Sequence, residues 1–190
     1  MQQLVLVTDI YGNTPQLRET LANLKLDALV FSPYADEIYF HQEAAAYEAF
    51  NQLGGVQFYA TLLKEKLSSI SVEKPLLLLG FSAGAAALWH FISSEQVNHL
   101  HPASSAWLYY GGQIRHALHL QPKLTTKVYW TAESHFDVQI CHQQMLSKSN
   151  VESQILPYSH GFINPQARGF IAHAAADFWF DVLQQLKQIQ

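Results

Sequence analysis

A serine set between two glycines, Gly80-Phe81-Ser82-Ala83-Gly84, is the pattern in this chain best placed for covalent chemistry. The leucine run Leu76–Leu79 precedes it and an alanine-rich stretch follows, the strand–turn–helix setting that a G-x-S-x-G turn requires. A strand that turns directly into a helix forces the middle residue into a strained backbone. Its neighbours must lack bulk so that other backbone can come close. Ser82 would then stand above a sheet at a helix N-terminus, where free N–H groups and the positive dipole end favour a developing oxyanion. The Ala83 amide is one such donor. The chemistry implied is attack on a carbonyl with formation of an acyl intermediate. The plainer alternative is a serine that only caps the helix.

A serine hydroxyl needs a base beside it. Of ten histidines, His160 is the candidate, because it follows the strand-like Ser153–Leu156 and precedes the last helix. Enzymes built on this turn run nucleophile, acid, histidine in chain order. His90 and His173 fall within helices, and His99, His101, His116 and His119 lie in polar segments that read as solvated. No carboxylate or cysteine accompanies their paired spacing, so no metal is expected, nor any cofactor.

The elements that must position these groups are legible as alternating short apolar and longer amphipathic runs. Strands are expected at Leu4–Thr8, Ala28–Ser32, Leu76–Leu79, Ala106–Tyr110, Lys127–Thr131 and Ser153–Leu156. Thr14-Pro15 reads as an N-cap with proline at the first helical position. Further helices are expected over Glu43–Leu53, Val56–Ile70 and Ala83–Ser93. A last one is expected to start near Asn164-Pro165 and to carry Phe170, Ala174, Phe178, Val182 and Leu186 as an apolar stripe. Strands without polar alternation are buried on both faces. The fold class is therefore α/β, a doubly wound, mostly parallel sheet with helices on both faces, in which sites form at the carboxyl ends of strands. Residues 1–190 read as a single domain of this kind, without repeats or linkers.

Composition narrows the class of partner. Apolar residues make up 49% and charged residues 14%, which describes a globular chain with no stretch long enough to span a membrane. The start reads as a first strand and not as a signal peptide. A net charge of −4 without basic clusters leaves no footprint for nucleic acid. The lone Cys141 fits a reducing compartment, and a cytoplasmic location is the expectation. Oligomeric state is open.

Four segments together resemble the dienelactone hydrolase family of α/β-hydrolases, over nearly the whole length. They are Asp9-Ile10-Tyr11-Gly12, the Gly80–Gly84 turn, Tyr109-Tyr110-Gly111-Gly112, and Tyr158-Ser159-His160-Gly161-Phe162. The resemblance implies a compact α/β-hydrolase fold without a lid domain, and a second oxyanion donor in the Ile10 amide. The family's best-known members carry cysteine where this chain has Ser82, and glutamate where it has Asp9. Their acid follows the penultimate strand in a Gly-x-x-Asp pattern. Here an ungapped reading puts His135 in that place, flanked by Glu133 and Asp137, which are alternatives for the triad acid; Glu133 is nearer the strand end.

Two further sets of residues bear on substrate. Tyr11, Tyr34, Tyr110 and Phe162 are candidates to line an apolar pocket, Tyr11 and Phe162 foremost. Asn164 stands where the specialised enzymes place a carboxylate-gripping arginine, and Arg115 reads as a solvated loop charge, with approach to the site as its alternative. The expectation is a serine esterase of the carboxylesterase or dienelactone-hydrolase type, acting on a small-molecule ester, lactone or thioester. A thioesterase or acyltransferase would use the same residues. A non-catalytic binding or regulatory protein on the same fold is the alternative from another class.

Overall fold

The apolar runs of the sequence become the middle of a sheet. The structure, a computed structural model, describes residues 2–70 and 73–187; Met1, at the head of the apolar start, lies outside them. The strands are β1 (Gln3–Val7), β2 (Ala28–Phe31), β3 (Leu76–Phe81), β4 (Ser105–Tyr109), β5 (Thr125–Ala132) and β6 (Val151–Ser159). They form one sheet in the order β2-β1-β3-β4-β5-β6, and every pairing is parallel. Parallel neighbours need long crossovers. The helices of those crossovers and of the chain's end are α1 (Pro15–Asn23), α2 (Glu43–Gln52), α3 (Gly55–Ser68), α4 (Ala83–Ile92), α5 (Val138–Leu146) and α6 (Ala172–Lys187).

Strand periodicity divides the core in two. Val5, Val7, Leu76 and Leu78 face a cluster that includes Leu63 of α3 and Trp89 of α4. Leu4, Leu6, Leu77 and Leu79 face the opposite cluster, with Leu21 of α1 and Phe178 of α6. Burial on both faces is why β1 and β3 show no polar alternation. The edge strand β6, by contrast, alternates half-buried and exposed residues along much of its length.

One expectation from the sequence is corrected, and one helix is added to those expected. The helix α5 is not indicated by the sequence reading; it buries only Cys141 and Met145, a signal of two residues. The final helix begins at Ala172 and not near Asn164, so Phe170 lies ahead of it, 38% exposed. The Asn164 side chain has other duties: Oδ1 accepts from the Gln166 amide and Nδ2 reaches Asp9. The stripe that α6 does bury is Ala174, Ala175, Phe178, Trp179 and Val182. Each of its large apolar members contributes about 1.5–3 kcal/mol by leaving water.

The register sets up the site. Val7 pairs with Gly80 across β1 and β3, so the chain leaves these neighbouring strands side by side at their carboxyl ends. No described helix is long and apolar enough to cross a membrane.

Candidate active site

Ser82 sits between β3 and α4 with φ 50° and ψ −113°, a conformation that L-residues rarely adopt. Its N–H donates to the Tyr109 carbonyl at 3.0 Å and its carbonyl accepts from the Ala86 amide at 3.1 Å, so neighbouring elements hold the strain in place. The glycines on either side are required by close approach. A Cβ on Gly80 would lie 2.7 Å from Ala85 Cα, and one on Gly84 would lie 2.5 Å from the Val7 carbonyl oxygen. The absence of side chains there lets α4 start hard against β1.

Ser82 Oγ lies 2.9 Å from His160 Nε2, and His160 Nδ1 lies 2.7 Å from Glu133 Oε1. A carboxylate only accepts, so Nδ1 carries the ring proton and Nε2 is left to accept from the serine hydroxyl. The Glu133 side chain is 7% exposed against 41% for His160. The ring is also held from the side: its centroid is 5.1 Å from that of Tyr110. Gly169 passes so close to the His160 carbonyl that a Cβ there would collide with it, which folds the 161–171 segment back over the histidine.

Of the two carboxylates offered by the sequence, the structure brings Glu133 to His160. Asp137 is the N-cap of α5, its Oδ1 accepting from the Gln139 amide at 2.8 Å. A cap of this kind is satisfied locally and does not reach the cleft. His135 points at the other Glu133 oxygen from 3.9 Å, beyond hydrogen-bond length.

The turn after β1 is built around Asp9. Its Oδ1 accepts from the Tyr11 amide at 2.9 Å, its Oδ2 accepts from Asn164 Nδ2 at 2.7 Å, and its carbonyl accepts from Gly12. Burial pushes the Asp9 carboxyl above the usual carboxylate range, opposed by the Asn164 and Tyr11 hydrogen bonds and by His160. The Tyr34 hydroxyl donates to the Ile10 carbonyl at 2.7 Å and lies 3.1 Å from the Ala46 carbonyl of α2. With its carbonyl so held, Ile10 leaves its own N–H without a partner among the described residues. The Ala83 N–H, at the first turn of α4, is likewise free of an intrahelical partner.

Ser82, Ala83, Ile10, Glu133 and His160 share one open cleft of about 630 Å³. Tyr11 lines it; burial, helped by Glu43 and Asp9, lifts its phenol to about 12. Phe162 does not line it, a correction to the sequence reading: at 2% exposure it is packed among Tyr109, Tyr110 and Tyr158 as core. Tyr34 is also interior. Arg115 takes the second of its two readings. It is half-buried on the cleft wall, its Nη1 donating to the Gly112 carbonyl at 2.8 Å and its guanidinium 4.8 Å from the Phe136 ring centroid. Sequence reasoning missed the contribution of α2 altogether: Glu43, Tyr47, Phe50 and Asn51 all face the cleft. Their i, i+4, i+7, i+8 spacing was visible, but it does not tell a wall of a cleft from a packed face. Among the described residues no three His, Cys, Asp or Glu side chains converge as a metal site would require.

No protein-family model matches the chain, and no curated protein matches it in sequence. Solved structures do. YbtT, a type II thioesterase from the yersiniabactin NRPS/PKS biosynthetic pathway, superposes with a TM-score of 0.62 at 14% identity, over 96% of this chain and 92% of that one. The fold is that of the α/β-hydrolases. A predicted CIB-like hydrolase from Thermoplasma acidophilum gives a TM-score of 0.56 at 13% identity, over 97% of this chain and 86% of that one. A cold-adapted esterase from an Arctic intertidal metagenomic library gives 0.55 at 13%, over 93% and 81%. At such identities the α/β-hydrolase architecture is what is shared. What this chain does must be argued from its own site.

Proposed function

We propose that the protein is a serine hydrolase that cleaves an ester-type bond of a small molecule through an acyl-enzyme on Ser82. One observation carries the reading: Ser82, His160 and Glu133 form a hydrogen-bonded series of 2.9 and 2.7 Å, beside two unengaged amides in an open cleft. The geometry is that of nucleophile, base and orienting acid.

The steps follow from these atoms. Ser82 Oγ attacks the substrate carbonyl carbon as His160 Nε2 takes its proton. The carbonyl π electrons move onto oxygen, where the Ile10 and Ala83 N–H groups hold the charge. Glu133 fixes the ring tautomer and stabilises the imidazolium. Collapse of the tetrahedral species breaks the bond to the leaving oxygen, which takes the proton from Nε2. Water, deprotonated by the same nitrogen, then attacks the acyl carbon, and collapse of the second tetrahedral species breaks the bond to Ser82 Oγ, which takes the proton back from Nε2 as the acid leaves.

The printed descriptions of the structural neighbours, thioesterase and esterase, agree with this class of reaction. A thioester substrate would use the same atoms, with a better leaving group, and is the second reading within the class. Dienelactone-type specificity receives less support. Asn164, in the place of the family's carboxylate-gripping arginine, is spent on Asp9. A single α/β domain acting in the cytoplasm fits the buried, unpaired Cys141. Against a non-catalytic protein on the same fold, the Glu133–His160 contact of 2.7 Å supports the catalytic reading.

The test is a fluorophosphonate probe read by intact mass and peptide mapping. Stoichiometric labelling of Ser82, lost in His160→Ala, is the expected result. An unlabelled native protein would sink the hydrolase reading.

A further inference from the structure

The cleft is not uniform from end to end. Around Ser82 it divides by the strands that supply it. At the β4 and β5 end the lining is polar, with Gln113, Arg115, Glu133, Ser134 and His135. At the other end stands α2, which packs against the core only through Ala46 and Phe50. Tyr47 and Phe50 face the cleft from that helix in company with Glu43 and Asn51, and Ile10 and Tyr11 face it from the turn below.

Tyr47 is the residue that stands out. It is 55% exposed, and among the described residues its hydroxyl makes no hydrogen bond and its ring has no aromatic neighbour. A large aromatic side chain left uncovered inside a concave site beside a nucleophile has an unspent capacity to bury apolar surface. Phe50, one helical turn on, is 5% exposed and continues the same surface toward the Tyr59 ring, 6.3 Å away between centroids.

The catalytic geometry decides which half of a substrate goes there. The leaving oxygen must come within reach of His160 Nε2, and that ring is anchored at the β5 end by Glu133. The carbonyl oxygen must reach the Ile10 amide, and the Ile10 carbonyl is joined through the Tyr34 hydroxyl to α2. The carbonyl's three in-plane substituents thus part: oxygen to the Ile10 and Ala83 amides, leaving group to His160 and the polar end, and acyl group to the side away from His160, where α2 supplies Tyr47 and Phe50. We propose that Tyr47 and Phe50 form an acyl subsite, making the protein selective for esters of apolar acids with a polar leaving group. This rests on the hydrolase reading of Ser82 and adds Tyr47 as a specificity-determining residue.

Two substrate series test it. In wild-type protein, kcat/KM for methyl esters from acetate to hexanoate should rise roughly fourfold per methylene, the factor equivalent to about 0.8 kcal/mol of buried CH₂. Acetate esters of longer alcohols should show no such rise. Tyr47→Ala should flatten the acyl series, and Tyr47→Phe should keep the slope. An undiminished slope in Tyr47→Ala, or a rise that follows the alcohol, would overturn the subsite. Calorimetry with hexanamide, a neutral acyl mimic, gives a readout without turnover: binding to wild type that is lost in Tyr47→Ala is expected. If esters turn over but neither slope nor hexanamide binding depends on Tyr47, the subsite fails and the hydrolase stands. If hexanamide binding depends on Tyr47 while Ser82 is inert to the probe, the subsite stands and the hydrolase fails.

Discussion

Asn164 Nδ2 donates to Asp9 Oδ2 at 2.7 Å across 155 positions of sequence, joining the loop behind His160 to the turn that carries Ile10. The proposed base and one proposed oxyanion donor are thereby placed by a common strut. Asn164→Ala would leave a buried carboxylate short of a partner, at a cost of about 1.5–3 kcal/mol in stability. It should also lower kcat about ten- to a hundredfold with a smaller change in KM, because the misplaced groups act on the transition state. Denaturation curves and steady-state kinetics on the same preparation check both halves.

The two carboxylates near the end of β5 should behave oppositely. Glu133→Gln keeps the shape but offers the wrong hydrogen-bond pattern to His160, and kcat should fall by about 10³–10⁴. Asp137→Asn keeps a good N-cap on α5 and should leave both rate and stability near wild type, whereas Asp137→Ala should cost about 1 kcal/mol in stability alone. Comparable, mild rate losses in Glu133→Gln and Asp137→Asn would point to a Ser–His dyad.

Strain at Ser82 should be measurable as stability. With φ at 50° and ψ at −113°, the position suits glycine. Both Ser82→Ala and Ser82→Gly abolish the nucleophile. The glycine variant should nevertheless be more stable than the alanine variant by about 1 kcal/mol, after its greater unfolded-state entropy is counted. Equal stabilities by chemical denaturation would show the turn to be unstrained.

Asp9 predicts a pH dependence of folding. Its carboxyl titrates above the ordinary range in the native protein, because of burial, and near about 3.9 in the unfolded chain. Between those points the native state binds more protons than the unfolded state, so the Asp9 contribution is full below the unfolded value and declines as pH rises through the native one. Denaturation of wild type relative to Asp9→Asn, followed from acid toward neutral pH, should show wild type losing ground across that window. A difference that is flat or of opposite slope would contradict the assignment.

How much of this could be read from the chain depended on how local the determining physics is. β3 and the Ser82 turn were legible because an uninterrupted leucine run and two close-approach glycines are constraints written within ten residues. The beginning of α6 was misplaced because Asn164-Pro165 looks like a cap and first turn, while the Asn164 amide is committed to a carboxylate on the far side of the sequence. Phe162 and Tyr47 show the same limit from two directions. Both are aromatic residues near the site, yet Phe162 is enclosed by three tyrosines and Tyr47 stands open, a distinction made by tertiary neighbours alone. The choice between Glu133 and Asp137 turned on where β5 stops and α5 starts, and α5 buries too little to announce itself.

The pairing of Val7 with Gly80 has an evolutionary corollary. Adjacent strands hydrogen-bonded in register are held about 4.8 Å apart, so the spacing between the two oxyanion donors is inherited from the sheet itself. Residues 35–54, which bring α2 to the cleft, belong to a connection whose exposed positions such a framework tolerates being rewritten, so long as Ala46 and Phe50 keep their packing and the Ala46 carbonyl its contact with the Tyr34 hydroxyl. In the proposed enzyme, reactivity and substrate taste thus sit on separately mutable parts of one gene. Rewriting those exposed positions, Tyr47 among them, would be the natural handle for redirecting the proposed enzyme to other acids while Tyr34 and the Ile10 turn stay as they are.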